Sequence, residues 1–403
     1  MLGLGSASGR VSAAALMGIL LLACGGGVAI APTGTGGESS TGSTGGAGTT
    51  SSSSSGTGGL PAPVCVAGEG AIVAAAGTDG LIAVDIEGAW LASSHPIPAT
   101  TAVATYENVH HQLGAFWIAW DQGVATSHFV ATSDGKSFDE RTAQSFSPFW
   151  VEKVGGPLLL GTTDKGSELA YFDPDAIDWF SLGDPAPLML SAAARGGTVG
   201  TLLGVGVDPE NRLCDTGIFW EENGNWTDPH CRDDVKVFYG GEISTDRPHA
   251  TTLPNGDVAI VFHKSFTEIA LTMLHSGVWS TPESVTLPEQ NLVLAITATP
   301  ANEVVVAGPT GTGAVLAVRY VPGTGWGTPL VIDEQAQDLS SISAAPGICG
   351  DDALIAYYGG GDPMEVRVAR LRGSTFEVST VASLAPGQVP ANVSISTRGA
   401  SAP

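Results

Sequence analysis

Ser276-Gly-Val-Trp-Ser-Thr-Pro-Glu-Ser-Val285 and Gly323-Thr-Gly-Trp-Gly-Thr-Pro-Leu-Val331 are two copies of one pattern. Each reads as a tight turn, a tryptophan, a small residue, Thr-Pro, and an apolar run. Two strand-like runs precede each copy. Asp257-Val-Ala-Ile-Val-Phe-His263, Glu303-Val-Val-Val-Ala307 and Ala314-Val-Leu-Ala-Val-Arg-Tyr320 are examples, and Ala353-Leu-Ile-Ala-Tyr-Tyr358 repeats the type further on. β-Branched and aromatic side chains suit a pleated, packed surface, and Gly, Pro, Asn and Asp punctuate the runs. Turns such as Pro254-Asn-Gly-Asp257 and Thr299-Pro-Ala-Asn302 open each unit. No long segment carries a 3.6-residue apolar period.

The pattern extends beyond these two copies. An aromatic residue follows a Gly, Asp or Ser turn at Trp90, Phe138, Trp179, Trp226, Trp279, Trp326 and Phe376, at spacings of 48, 41, 47, 53, 47 and 50. A period of this length, with room for four strands, is that of a β-propeller blade. The expected fold is all-β: a propeller of about seven four-stranded blades, with six or eight as the rivals if an anchor is miscounted. The aromatic is read as packing. A blade buries each face against a neighbour, and one large flat side chain per repeat fills the gap. A ring of sugar-stacking aromatics is the alternative. The first repeat lacks an innermost strand, and Ala391-Asn-Val-Ser-Ile-Ser-Thr397 is placed to supply it and cover the exposed edge.

Thr132-Ser-Asp-Gly-Lys-Ser-Phe138 resembles the Asp-box turn of sialidase-like propellers. In that family the box is a structural turn, so the resemblance assigns Thr132, Asp134, Gly135 and Phe138 to architecture, with Asp134 bonding its own turn. It does not bring the family's catalysis. The N-terminal Arg-Ile-Pro motif is absent, the first arginine of the domain is Arg141, and Arg195, Arg212, Arg232, Arg247, Arg319, Arg367, Arg370 and Arg372 stand in no matching context.

Residues Val11 to Leu22 are an apolar run of 12 behind Arg10, too short for a membrane-spanning helix of about 20 residues. Leu21-Leu22-Ala23-Cys24 at its end resembles a bacterial lipobox, which implies cleavage before Cys24 and lipid attachment there. Gly25, rather than Asp, follows the cysteine, and the resemblance then implies the outer membrane, at its periplasmic face or the cell surface. Of the 27 residues from 33 to 59, all but Glu38 and Ala47 are Gly, Ser or Thr. Such a chain cannot offset its conformational entropy by burial and reads as a coil tether spanning about 30 Å. The expected organisation is a signal peptide over 1–23, lipidated cysteine and tether over 24–60, and the propeller over 61–403.

Four cysteines remain after Cys24, an even number in an exported chain. Cys214 and Cys231 are 17 positions apart and flank a strand and turn, a natural closure. In the chain-entropy model such a bridge contributes about 3 kcal/mol. Cys65 with Cys349 follows by elimination. No CxxC pair points to zinc.

Acids outnumber bases 40 to 16, for a net charge of −24. The charge therefore speaks against nucleic acid and anionic lipid surfaces as partners. Asp-rich loops leave Ca²⁺ open, although no EF-hand spacing occurs. No cofactor fingerprint, phosphate loop or nucleophile elbow is found. His110-His111 is the one adjacent histidine pair and reads as an exposed turn. Asp246-Arg247-Pro248-His249 leads into the fifth repeat and is the most polar approach to an inner strand, so Asp246, Arg247 and His249 are the candidate pocket rim.

The expected function is a lipid-anchored, non-enzymatic propeller that binds protein or glycan through its loops. A glycan-active hydrolase or lyase on the same fold is the alternative, and a periplasmic scaffold for outer-membrane assembly is a second. Changing Cys24 to Ala should abolish acyl labelling and leave precursor uncut. Intact-mass measurement showing an unlipidated mature N-terminus elsewhere would refute the anchor.

Overall fold

The computed structural model describes residues 65–399, apart from stretches of one to eight residues, the longest being 239–246. Side chains at 102, 118–126, 143–180, 189–201, 218–219 and 390 are also outside the description, so Cys24, the tether, His110-His111, Asp246 and the indole of Trp179 are not described. No helix occurs among the described residues; every element is a strand.

The strands sort into seven antiparallel sheets, taken here in chain order. The second sheet runs Ala102–Glu107, Leu113–Asp121, Val124–Thr132, Asp139–Ala143, each strand beside its successor. The third begins at Pro148–Lys153, the fourth at Met189–Arg195, and the seventh at Ile342–Pro346, all with the same simple order. The fifth opens with His249–Thr252, Val258–Ser265 and Glu268–His275; the short Val278–Trp279 and the strand Glu283–Thr286 then both pair with Glu268–His275. The sixth repeats this arrangement from Ala295–Ala298 onward, with Gly325–Trp326 and Leu330–Asp333 sharing Val315–Val321. The two Thr-Pro copies therefore break the outer strand in two, because proline has no N–H for the ladder.

The first sheet is assembled differently. Gly70–Gly77 pairs on one side with Leu81–Ile86, and on the other with Pro390–Arg398 from the far end of the chain. The segment Ala391–Thr397 thus lies inside a strand beside Gly70–Gly77. Its free inner edge is met by hydroxyls: Ser341 Oγ accepts from the Val393 N–H at 2.8 Å and Ser343 Oγ from the Ile395 N–H at 3.2 Å. Ser394 Oγ in turn accepts from the Thr105 N–H at 3.1 Å. First strands contact one another in succession. Pro390–Arg398 touches Ala102–Glu107, then Pro148–Lys153, Met189–Arg195, His249–Thr252, Ala295–Ala298 and Ile342–Pro346 follow, and the last touches Pro390–Arg398.

Burial explains the unbroken apolar runs. In Gly70–Gly77 successive side chains enter different cores. Ile72, Ala74 and Ala76 pack with Val103, Leu113 and Trp117 of the second sheet; Ala71, Val73 and Ala75 pack with Tyr358, Val366 and Val368 of the seventh. In Ala353–Gly359 the split is Ala353, Ile355, Tyr357 towards the sixth sheet and Leu354, Ala356, Tyr358 towards the first. A strand covered on both faces has no polar side to reveal a period of two.

The anchors fill these seams. Trp90, Phe138, Trp279, Trp326 and Phe376 each pack against an inter-sheet core, and Trp226 packs beside the Cys214–Cys231 bridge. Three indoles also tie a sheet to the one before it. Trp226 Nε1 donates to the Leu182 carbonyl at 2.9 Å, Trp279 Nε1 to Asp215 Oδ1 at 3.0 Å, and Trp326 Nε1 to the Glu283 carbonyl at 2.9 Å. The disulfides are Cys65–Cys349, between the first and seventh sheets, and Cys214–Cys231, across two adjacent strands of the fourth.

Deleting residues 388–403 removes a strand whose Val393 and Ile395 are buried. The loss should lower the melting temperature by roughly 10 °C, or prevent folding, as expected when several large core side chains are removed. A melting curve identical to that of the full chain would show that the strand is not part of the packed structure.

Candidate functional site

Most of the conspicuous charges are structural. Arg232 holds Asp234 at 2.6 Å and crosses to the Ser280 carbonyl of the fifth sheet at 2.8 Å. Arg319 joins Glu303 to Asp352 and the Gly373 carbonyl, bracing the sixth sheet on the seventh. Arg367 bonds Asp333 and Glu365, each at 2.8 Å, and Arg212 bonds Asp208 at 2.7 Å. Arg370 and Arg372 share Asp351, at 2.6 and 2.8 Å. Arg141 pairs with Asp139, and Arg398 donates to the Gly68 carbonyl. A guanidinium held by a carboxylate within the protein has part of its charge and fewer of its donors left for a substrate carboxylate.

Buried next to Arg370 and Asp351 lies Asp85, whose carboxyl sits above its ordinary range because burial outweighs the attraction of Arg370. It accepts from the Gly88 N–H at 2.7 Å and so closes its own turn. This cluster lies at the seam of the first and seventh sheets, beside the Cys65–Cys349 bridge. There Glu69 Oε2 accepts from the N–H groups of Val66 and Cys349. Two groups combine a carboxylate with two cysteine sulfurs: Glu69 with Cys65 and Cys349, and Asp208 with Cys214 and Cys231. In both the sulfurs are bonded to each other, so neither offers the thiolates a metal needs.

The Thr132–Phe138 turn is built locally. Asp134 Oδ1 accepts from the N–H groups of Lys136 and Ser137, each at 2.8 Å, and Thr132 Oγ1 accepts from the Gly135 N–H at 2.9 Å. Those backbone donors hold the Asp134 carboxyl below its ordinary range. Gly135 occupies φ +68°, which a side chain would strain. The aspartate therefore serves the turn.

One cluster is not absorbed in this way. His249 begins the first strand of the fifth sheet and stands opposite Val261. Extending that antiparallel register by two pairs sets Arg247 opposite His263. Pro248 between them is buried and keeps Arg247 extended, because a residue before proline avoids the helical region. Alternation then places Arg247 and His249 on one side of the chain. His263 is 1% exposed. His249 Nε2 is enclosed without a hydrogen-bond partner. Burial first, then His263 and Arg247, push its pKa down to about 4. Arg247 is half-buried, and among the described arginines it is the one without an acceptor.

Aromatic edges stand beside this cluster. The Phe238 N–H donates to the His263 carbonyl at 2.8 Å, and the Asn291 N–H to the Phe266 carbonyl at 2.9 Å. Phe238 and Phe266 meet edge to face at 4.9 Å. The ends of the fourth, fifth and sixth sheets thus converge here. Of the residues chosen from sequence, Arg247 and His249 are together, while Asp246 lies outside the described residues. His263, Phe238 and Phe266 were not singled out. His263 closes an apolar run and reads as a strand end; only the cross-strand register reveals its neighbour.

No known family profile and no curated protein matches this chain. Solved structures do match. A Bacteroides fragilis protein of provisional 6-phosphogluconolactonase assignment is 9% identical and aligns over 81% of this chain and 97% of its own, at TM-score 0.53. AofleA from Arthrobotrys oligospora is 13% identical, over 75% and 90%, at TM-score 0.49. The Aleuria aurantia lectin, a six-bladed β-propeller, is 13% identical, over 69% and 99%, at TM-score 0.41. The neighbours are β-propeller proteins and the chain shares that all-β fold; at such identities the likeness concerns fold alone.

The unfolded chain's imidazole takes its proton near 6.5 and native His249 only near 4. The unfolded state therefore binds more protons between these values, and stability falls as pH drops through that window. The His249→Asn variant should lose less than the parent, by about 2 kcal/mol at pH 4.5. Urea midpoints at pH 7.5 and 4.5 measure this, and parallel losses in both proteins would contradict it.

Proposed function

We propose that the chain is a lipid-anchored protein of the bacterial outer membrane, built as one seven-bladed propeller, that binds a ligand at the loop end of its fourth, fifth and sixth blades. The ring reading rests on the succession of contacts between first strands and on the pairing of Gly70–Gly77 with Pro390–Arg398. Support for the anchor is Leu21-Leu22-Ala23-Cys24, followed by the Gly/Ser/Thr tether. The Thr132–Phe138 turn, with its self-bonded aspartate, favours kinship with sialidase-like propellers, in the scaffold and not in the chemistry.

The observation that carries binding is the contrast between the arginines. Eight described guanidiniums are held by the protein's own acceptors, whereas Arg247 stands open next to an enclosed imidazole and two aromatic edges. A rigid frame with unsatisfied donors and apolar edges at its loop end is the arrangement of a recognition surface. Glycan or protein segments both suit it. The commitment of Arg212, Arg232, Arg319, Arg367, Arg370 and Arg372 to internal partners speaks against a sialidase-type hydrolase.

The test is binding of the purified full chain to immobilised envelope glycans and envelope proteins. Phe266→Ala should weaken capture at least about ten-fold, the cost of a truncated aromatic contact. Val278→Ser, 69% accessible in the short outer strand Val278–Trp279 of the fifth sheet, should leave it unchanged. Equal effects of the two changes would place binding elsewhere, and release of reducing sugar from a bound glycan would favour the hydrolase.

A further inference from the structure

We infer that Arg247 and His249 form a subsite for an anionic group of the ligand. The inference rests on the proposed binding at this loop end and specifies its chemistry.

The chain carries 40 acids against 16 bases. In such a protein an arginine near the surface normally finds a carboxylate, and the other described arginines do find acceptors. Arg212 has Asp208, Glu210 and Asp233; Arg319 has Glu303 and Asp352; Arg367 has Asp333 and Glu365. Among the described residues, Arg247 is flanked instead by imidazoles. His249 lies two residues along on the same side, and His263 lies across the extended register. All three groups present nitrogen, and none supplies a carboxylate oxygen.

Their geometry is fixed by the sheet. His249 is locked in the ladder opposite Val261, and buried Pro248 sets the backbone between it and Arg247. Ordering a long arginine side chain costs free energy, but here the backbone and one neighbour are already placed. The guanidinium offers a planar fork of donors that suits carboxylate or phosphate oxygens. The His249 Nε2, in the tautomer that carries its proton there, adds one more. An enclosed ring nitrogen without a partner is costly to leave so, and an anion bound at Arg247 would satisfy it. Phe238 and Phe266 would then flank the apolar body that carries the charge.

Ring resonances of His249, assigned with His249→Gln, report directly on the site. The full chain is titrated with D-glucuronate, inorganic phosphate and uncharged D-glucose. Glucuronate or phosphate should shift the His249 ring signals saturably, and glucose should not. The stronger of the two anions identifies the group as carboxylate or phosphate. Arg247→Gln should weaken that anion roughly ten- to a hundred-fold, as expected for loss of a charged hydrogen-bonding partner, while Arg247→Lys retains part of it. Lys136→Gln, a cation in the second sheet's exposed turn, should change nothing. A melting temperature equal to that of the parent establishes that each variant is folded.

No shift with either anion, or shifts unaffected by Arg247→Gln, would overturn the subsite. If captured glycan or protein is then still lost with Phe266→Ala, the loop end binds without an anion site. If that capture is insensitive as well, the binding reading fails with it.

Discussion

Everything in this fold depends on the pairing of residues from opposite ends of the domain. Gly70–Gly77 is buried on both faces and has an antiparallel neighbour on each edge, one from the next strand and one from Pro390–Arg398. Without the second neighbour a row of backbone groups would face the interior unpaired, which proteins avoid strongly. The late strand brings its own inner edge, and Ser341 and Ser343 meet it with hydroxyl acceptors. The single proton of the Tyr358 hydroxyl lies within reach of the carbonyls of Ala76 and Asn392, one in each of the paired strands. A local repeat thus becomes a global structure through contacts nearly the whole length of the domain apart. Pairings so distant in sequence close late and slowly in folding.

The same logic explains what the sequence reveals. Repeats of a turn, an aromatic and an apolar run are local, so the sheets and their anchors are legible before any coordinates. The four strands named from composition agree with Val258–Ser265, Val304–Pro309, Val315–Val321 and Ala353–Gly359 to within a residue or two. Cys214 and Cys231 are legible because their separation is short. The indole donations are less so: that Trp279 reaches Asp215, and Trp326 the Glu283 carbonyl, depends on how one sheet leans on another. The buried group of Asp85, Asp351 and Arg370 could not be read at all. Its members are scattered along the chain, and each alone looks like an ordinary surface charge. At the candidate site Arg247 and His249 were legible as a polar approach to a strand, but His263 was hidden at the end of an apolar run.

Polar groups in this protein fall into two kinds, and the difference is one of satisfaction rather than of type. Asp134, Asp208 and Asp351 accept bonds that close turns or hold arginines, and such saturated groups have little left to offer a ligand. Gly359 shows how tightly these ties are built: a β-carbon there would lie 2.2 Å from Arg367 Nε, so the bracing of Asp333 depends on a missing side chain. The fifth sheet's loop end is of the other kind. Among the described residues, Arg247 has no acceptor there and His249 Nε2 is enclosed without a partner.

The bridge from Cys65 to Cys349 also decides how the domain meets mechanical load. A pull on the chain ahead of Cys65 enters the domain at the disulfide and divides there. Part of the tension runs through Val66 into Gly70–Gly77, and part crosses the sulfurs directly into the seventh sheet. The first strand cannot be peeled away alone, because its point of attachment is covalently fixed to the sheet that packs against it. Rupture must begin deeper, with two sheets resisting together, and the lifetime under force is then set by the barrier to global opening. After reduction the whole tension falls on one strand, and the weakest direction of the domain becomes the one in which a tether would draw it.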